Sequence, residues 1–406
     1  MSTVIVLGGC GAVGRVTAKT LANHDAFDRV IIADIDLPRA QGLAAEMGPK
    51  VSALRVDAGD VAAVAAAVRG AKVVVNCTGP FYRFARPCLQ GAIDAGVDYV
   101  DVNDDVDATL DLLSMDAAVK AAGISALIGM GNSPGVTNVL GRFIADQFLD
   151  ETDAVDIYHA HGGEAFEGEG VVAHRLHGMG MDIPMFLDGA LKYVRFFGED
   201  GIALRTRTDF HLIGKDIPVY PYPHPEQITM PQHMKVQRVT NRGTVLPDAY
   251  FHLTTEVARL GLTSQEPLTV AGQTVVPREF AIAWLLKQRD EILKSQDYGA
   301  QRGCTKVVVS GKRHGLPRSY VFSMASMSAA LGEGTGIPAA LGAILMAQGK
   351  VKGPGVLPPE AACDPMDFLE VAAPVLATMK TGGSFDGFLI EKIDEHGNVE
   401  KVDLPI

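Results

Sequence analysis

Three carboxylates stand close together at the end of one short apolar segment. Residues 97–101 are predicted as a strand, and Asp101, Asp104 and Asp105 fall at its end or just after it. Asp105 precedes a predicted helix, where an aspartate commonly serves as the N-cap. Asp101 and Asp104 have no such structural explanation, and we predict that they lie in a binding site. Carboxylates in this position suit a cationic amine.

A second group of polar residues lies in the glycine-flanked segment 174–180. His174 and Arg175 are adjacent there, and His177 follows one helical turn later. A guanidinium can bind a carboxylate through two parallel contacts, and an imidazole can carry a proton near neutral pH. Alternatively, these residues end a solvated helix, where basic groups interact favourably with the helix dipole. The sequence leaves both interpretations open.

The glycine spacing near the N-terminus is typical of dinucleotide binding. Four apolar residues are followed by Gly9, Gly11 and Gly14 and then by a predicted helix. In this pattern the glycines allow a tight turn, a close approach of the backbone to a pyrophosphate, and close packing of helix on strand. The free N–H groups of the helix N-terminus, which includes Ala12 and Val13, then face the phosphates. The alternative is a structural strand–turn–helix without a ligand.

Further cofactor contacts are expected at the ends of the following strands. Asp34 ends the second predicted strand, where a carboxylate accepts hydrogen bonds from the adenosine ribose and repels a 2′-phosphate. NAD is therefore favoured over NADP, although Arg39 could meet a 2′-phosphate. Other residues at carboxyl ends of strands are expected to line the cofactor, namely Asp57, Thr78, Gly79 and Pro80.

The elements that position these residues change character along the chain. Up to residue 150, six short apolar strands alternate with helices, which predicts a doubly wound parallel sheet. From 151 to 329 the pattern becomes mixed, with strands predicted at 154–159, 203–213, 238–245, 305–309 and 318–325, helices at 165–177 and 276–293, and proline-rich turns at 217–225. An apolar helix at 339–348 is expected to return to the first domain, which then comprises 1–150 and about 330–362. A helix and hairpin tail is expected at 363–406.

Composition excludes several classes of partner. The 406 residues carry 48 acidic and 36 basic side chains, a formal charge of −12, which argues against nucleic acid and anionic membranes as partners. No signal peptide or transmembrane run is predicted. The five scattered cysteines are expected to be reduced thiols of a cytoplasmic protein. His159 and His161 alternate on a predicted strand without a third ligand, so no metal site is expected.

Several of these segments together resemble the saccharopine dehydrogenase-like family, of the saccharopine reductase and lysine 6-dehydrogenase type. The resemblance is carried by residues 4–14, 33–36, 56–60, 74–81, 95–101, 129–138 and 334–360. It implies a Rossmann domain interrupted by a mixed α/β domain that binds substrate and forms dimers. It also implies an NAD(P)-dependent oxidoreductase acting on the CH–NH group of an amino acid or an opine-like secondary amine.

The resemblance and the residues together suggest roles. Asp101 matches a family position near the substrate, and with His177 it is expected to handle the proton and anchor the amine. Arg175 is expected to bind the substrate carboxylate, and Asp104 completes the catalytic set. One alternative is an oxidoreductase of a lipid-like alcohol or enoyl substrate, with an apolar cleft near residues 179–186. Another is a non-catalytic NAD-binding regulator.

Overall fold

Two large sheets and one two-stranded sheet, together with helices, make up the described part of the chain. The computed structural model describes residues 2–164, 167–327, 330–380 and 388–402. One large sheet is parallel and has seven strands, and the other is mixed and has ten. The predicted fold class is confirmed: a Rossmann domain is joined to a second, mixed α/β domain.

Strands and helices alternate through the first domain. They are β1 (Thr3–Leu7), α1 (Ala12–Ala22), β2 (Arg29–Asp34), α2 (Leu37–Met47), β3 (Val51–Arg55), α3 (Val61–Val68), β4 (Val73–Asn76), α4 (Phe81–Ala95), β5 (Asp98–Asp101), α5 (Val106–Leu113), α6 (Asp116–Ala122), β6 (Ser125–Leu127) and α7 (Val136–Phe148). β1 and β4 are almost continuous apolar runs because helices cover both faces of the sheet.

The second domain contains most of the longer strands. Its elements are β7 (Glu151–Gly162), α8 (Glu169–Gly180), β8 (Asp182–Leu187), β9 (Ala190–Arg195), α9 (Glu199–Ala203), β10 (Thr206–Phe210), β11 (Gly214–Pro221), α10 (Glu226–His233), β12 (Arg238–Leu246), α11 (Asp248–Arg259), β13 (Leu268–Val270), β14 (Gln273–Val275), α12 (Pro277–Ser295), β15 (Arg302–Arg313) and β16 (Leu316–Ser326). The central pair, β7 and β12, is parallel, and β15 lies antiparallel on the other side of β7.

The chain then crosses between the two domains twice. α13 (Ala330–Ala347), β17 (Gly355–Leu357), α14 (Pro359–Ala362) and α15 (Pro365–Lys380) follow, and β18 (Phe388–Ile393) and β19 (Val399–Lys401) complete the mixed sheet. β17 pairs with β6, so the parallel sheet has the order β17-β6-β5-β4-β1-β2-β3. α13 packs on α1, where the Thr17 hydroxyl donates to the Gly336 carbonyl over 3.0 Å.

Three predictions of local structure in the second domain are wrong. Part of the predicted turn region 217–225 is strand β11, which contains Pro218 and Pro221 and still pairs with β10 and β12. The strand predicted at 203–213 is shorter and follows helix α9. The helix predicted at 165–177 begins at Glu169, and residues 165 and 166 lie outside the described residues.

The start of α7 also differs from the sequence pattern. Ser133 and Pro134 are typical of an N-cap and a first helical residue, but the N-cap is Gly135, at φ +127°. The Asn138 side chain accepts from the Gly135 N–H over 2.8 Å. The Ser133 hydroxyl is therefore free to make contacts across the domain boundary.

Apolar side chains bury both faces of the parallel sheet. One core lies between the sheet and α3, α4, α5 and α6. The other lies under α1, α2 and α13 and continues through α7 and α15 to the mixed sheet, so the two domains share it. Among the described residues, no helix combines the length and apolar character needed to cross a membrane.

Candidate active site

The glycine segment forms a tight strand–turn–helix. A Cβ on Gly14 would lie 2.3 Å from the Gly8 carbonyl oxygen, so only glycine allows α1 to pack this closely. Gly11 is the N-cap of α1 and has no side chain to cap it, and the first turn contains Ala12 and Val13. The first amide groups of the helix are therefore available to a phosphate. Gly9 lies in the turn, packed against Ile32.

A cleft of about 410 Å³ opens beside this turn, at the carboxyl ends of β1, β2 and β4. Asp34, Asp57 and Thr78 line it, whereas Gly79 and Pro80 lead from β4 into α4. Asp34 accepts from the N–H groups of Cys10 and Asp36, over 2.9 and 3.2 Å. The Thr78 hydroxyl is buried and has no hydrogen-bond partner among the described residues. Acceptors, an orphaned hydroxyl and bare helix amides fit the adenosine half of a dinucleotide.

Asp104, Asp105 and His174 form a charged group just after the end of β5. His174 Nδ1 lies 2.7 Å from Asp105 Oδ1, and its Nε2 lies 3.6 Å from Asp104 Oδ2. Burial disfavours the charge on His174, but the two carboxylates outweigh burial and raise the pKa of His174 to about 9. At neutral pH this imidazole therefore carries a proton. α8 of the second domain supplies His174, and the loop after β5 supplies the carboxylates.

A second histidine faces this group from the segment between β11 and α10. His224 Nδ1 lies 3.1 Å from the Ser133 hydroxyl and 3.6 Å from Glu226 Oε2. The same hydroxyl donates to Glu226 Oε1 over 2.5 Å, and Asn241 Nδ2 donates to it over 3.1 Å. With Nδ1 held in this way, Nε2 of His224 is the nitrogen left for the site.

His224 also belongs to a group of aromatic rings with His159 and Tyr222. The rings of His159 and His224 stack with centroids 5.4 Å apart, and Tyr222 meets both rings edge-on. His159 on β7 lies opposite Gly243 on β12, where a Cβ would come within 1.9 Å of the imidazole. Glycine at 243 is therefore needed to seat this ring.

One nitrogen or oxygen from each of Asp104, His174 and His224 lies within 4.8 Å of the others. Two imidazoles and a carboxylate are a donor set that can hold a transition metal. The pair of carboxylates on His174 favours its protonated form, which is not a ligand. The absence of a resident metal stays a prediction.

The structure separates the residues predicted to be catalytic. Asp104 lies in the charged group, but Asp101 is fully buried behind it. Asp101 accepts from the Tyr99 hydroxyl and from the N–H groups of Asn103 and Gly129. Burial raises the pKa of Asp101 to about 6, although these three hydrogen bonds oppose the shift. Asp101 therefore ties the end of β5 to the loop after β6.

The direct contacts of Arg175 and His177 are with residues outside that group. The Arg175 guanidinium is buried inside the second domain, hydrogen-bonded to Glu167 and placed over the Tyr250 ring at 5.4 Å. His177 Nε2 lies 2.9 Å from Asp107 Oδ2, at the rim between the domains. Asp105 occupies the predicted N-cap of α5, but its carboxylate contacts His174 and the Tyr82 N–H instead of capping the helix.

Sequence inspection missed His224, Ser133, Glu226, Asn241 and Tyr222 as site residues. Their local signals are weak, because the segment around His224 is a run of alternating prolines and Ser133 has the pattern of a helix cap. The one available signal was chemical: a histidine and a glutamate two residues apart in an otherwise apolar, proline-rich segment.

Comparisons with known proteins indicate the family that this chain resembles. Residues 4–127 match the family model described as saccharopine dehydrogenase NADP binding domain. Carboxyaminopropylagmatine dehydrogenase from Synechocystis is 26% identical over 90% of this chain and 94% of its own length. The chain is an oxidoreductase that is similar to the saccharopine dehydrogenases.

Two further comparisons extend over both domains of the enzyme. Carboxynorspermidine synthase from Vibrio cholerae is 24% identical over 89% of this chain and 92% of its own length. Saccharopine dehydrogenase (L-Glu forming) from Saccharomyces cerevisiae has the same fold, with a TM-score of 0.67 at 17% identity over 97% of this chain and all of that chain. The predicted family resemblance and the predicted enzyme class are confirmed, and the cofactor is a nicotinamide dinucleotide.

Proposed function

We propose that the enzyme transfers a hydride between a nicotinamide dinucleotide and the carbon of a CH–NH group in a secondary amine that carries a carboxylate and a further cationic group. The observation that carries this proposal is His174, held between Asp104 and Asp105 where the two domains meet. The two relatives that match over about nine tenths of this chain are named for carboxy derivatives of agmatine and norspermidine, which are compounds of this class.

The charged group supplies what such a reaction needs from the protein. When bound, the nicotinamide gives or takes the hydride. Oxidation of the amine also releases the N–H proton, and reduction of the imine consumes one. His174 moves this proton through Nε2, and Asp105 holds the ring through Nδ1. Asp104, whose carboxylate is partly exposed beside the same nitrogen, attracts the cationic amine.

The earlier role assignments change accordingly. His174 takes the proton-transfer role expected of His177, and Asp101 positions the loops that carry the charged group. Arg175 is saturated by Glu167 on one side, while its Nη1 is buried and without a partner among the described residues. Binding of the substrate carboxylate through that nitrogen stays part of the proposal.

NAD is the proposed cofactor. The Asp34 carboxylate lines the adenosine cleft and would repel a 2′-phosphate, whereas Arg39 is exposed five residues further on. The matched family model carries NADP in its name, so both cofactors belong in the assay. We also propose a cytoplasmic homodimer, in keeping with five free cysteines.

No observation favours the lipid-like alternative near residues 179–186. Met179 and Met185 are buried in a core of the second domain, with helices α8, α11 and α12 around them. They pack as ordinary core side chains instead of lining an open cleft.

The test is turnover with NAD and NADP over a panel of amino acids, opines and carboxylated polyamines, in both directions. We expect His174→Gln to lower kcat by ~10²-fold or more while the Kd of the cofactor stays unchanged. His252→Gln, which alters an exposed histidine on α11, is the matched control and should behave as wild type. Cofactor binding without turnover of any amine would contradict the proposal.

A further inference from the structure

A cavity that opens to solvent, with about 530 Å³ of space between its walls, lies beside His159. Its walls come from β7, β15 and β16, from the loop around Asn132, and from the first turn of α13. His159 is common to both places, because it lines this cavity and stacks on His224. The cavity is therefore a neighbour of the proposed reaction centre without being part of it.

Three polar atoms of the residues that line this cavity are buried and have no hydrogen-bond partner among the described residues. They are Asn132 Oδ1, His159 Nε2 and Glu333 Oε2. A buried polar atom without a protein partner costs free energy, so three around one cavity favour the binding of a polar ligand there. Asn132 Nδ2 is already used, since it donates to the Thr305 hydroxyl over 2.6 Å. That bond fixes the amide so that its oxygen remains unpaired.

The unpaired atoms define the chemistry of the ligand. The Asn132 oxygen and the Glu333 carboxylate are acceptors, and burial lowers the pKa of His159 well below its usual value, so its ring is neutral and can accept as well. No lysine or arginine is among the described residues that line the cavity. Lys19 on α1 acts on Glu333 only as a nearby charge. A carboxylate with a buried, unpaired oxygen, beside neutral acceptors and with no lysine or arginine in the described lining, fits an ammonium or guanidinium group.

An apolar cavity of about 650 Å³ adjoins this one and shares Met324, Glu333 and Gly334 with it. Its other walls are aliphatic and aromatic side chains of α7, α13, α15 and β16. Methylene groups attached to the cation can therefore be buried beside the polar end. The ligand is an alkyl chain that ends in a positive charge.

We infer that the cavity bounded by Asn132, His159 and Glu333 is a subsite for the distal cationic end of the substrate, an alkylammonium or alkylguanidinium group, and that it selects diamines and guanidinoamines over monoamines. This inference rests on the proposed function only in treating the ligand as part of the substrate. The contacts themselves predict binding of such a cation whether or not turnover follows.

The experiment is calorimetric titration of the enzyme, with NAD present, using agmatine, putrescine and butylamine as probes. We expect agmatine and putrescine to bind more tightly than butylamine. Glu333→Gln keeps the shape but removes the charge, and should weaken the dications agmatine and putrescine by ~10-fold or more. Butylamine should be weakened less, because its single ammonium can bind beside Asp104 instead. Glu199→Gln is the matched control, because Glu199 also lies in the first turn of a helix but is exposed.

A second variant should strengthen the binding of both cations instead of weakening it. Asn132→Asp adds a carboxylate of the same shape, and should tighten agmatine and putrescine. Equal affinities of wild type and Glu333→Gln for both cations, or no binding of either cation to wild type, would overturn the inference. A weakened Kd for NAD in Glu333→Gln would also overturn it, because the cavity would then belong to the cofactor. Cation binding that depends on Glu333 without turnover of any amine would contradict the proposed function and leave the subsite standing.

Discussion

At the scale of single residues, the site depends on which charge each histidine meets. His174 and His177 lie three positions apart on α8, so the sequence places them on one side of the helix and cannot rank them. The structure pairs His174 with Asp104 and Asp105, and His177 with the more exposed Asp107. Asp104 could be predicted from its place after β5. The partner of each histidine could not, because it depends on how α8 docks against the first domain.

The pairing of His174 with Asp105 predicts a particular pH dependence. The raised pKa of His174, about 9, means that the imidazole is protonated below that pH. Imine reduction needs the protonated ring, so kcat/KM in that direction should fall as the pH rises through 9. Amine oxidation needs the neutral ring, so kcat/KM in that direction should rise over the same limb of the pH profile. Asp105→Asn removes one carboxylate and should move this limb to lower pH by ~1 unit or more.

The neighbouring pair provides the control. Asp107→Asn, which changes the partner of His177, should leave the limb in place. The measurement is the pH profile of kcat/KM for wild type and both variants, with each variant's stability checked over the same range. An unmoved limb in Asp105→Asn would assign the proton to another group.

At the scale of elements, the two domains differ in how much their sequences reveal. β1, β2, β4 and the glycine turn were predicted because each is a local pattern: an apolar run followed by turn residues. The parallel sheet needs little more than that repetition. The segment that carries His224 lacks such a pattern, and its position depends on β11 pairing with β12, a contact between segments about twenty residues apart.

The start of α7 illustrates the same limit. Ser133 has the pattern of an N-cap, yet its hydroxyl donates to Glu226, because a fully buried carboxylate needs hydrogen-bond donors more than the helix end does. Glu226 is 93 residues away in sequence. A local pattern describes what a residue can do, and the tertiary contact decides which of its options is used.

The short helix α14 carries a buried acid that predicts how stability changes with pH. Glu360 is fully buried against α7, where Asn138 Nδ2 donates to its Oε2 over 2.7 Å. Burial raises the pKa of Glu360 from 4.5 to about 7. The folded state therefore binds more protons than the unfolded state between these values, and the contribution of Glu360 to stability is full below pH 4.5 and lost as the pH rises through 7.

Glu360→Gln should remove the contribution of Glu360 to the pH dependence of stability. The variant stays neutral, so relative to wild type its free energy of unfolding should increase between pH 5 and 8 by up to ~3 kcal/mol. Denaturant unfolding of both proteins across that range is the measurement. Asp101, with a pKa of about 6, titrates in the same pH range in both proteins. The difference between their free energies of unfolding therefore isolates Glu360. Parallel curves for wild type and variant would show that Glu360 is ionised throughout.

At the scale of the whole molecule, net charge should separate the behaviour of the two ligands. The formal charge of −12 creates a field that attracts a cationic amine and repels an anionic dinucleotide. Added salt screens that field, so raising the NaCl concentration to ~0.3 M should lower kcat/KM for the amine, and more steeply for a dication than for a monocation. The KM of the cofactor should stay constant or fall over the same range.

Steady-state kinetics at saturating levels of the other ligand measure both effects in one enzyme. A general loss of stability in salt would worsen the amine and the cofactor together, whereas screening moves them in opposite directions. Equal salt slopes for monoamines and diamines would mean that the global field does not steer the substrate. Any preference for dications would then come from contacts within the site, and it would persist at high salt because buried pairs are screened far less than exposed ones.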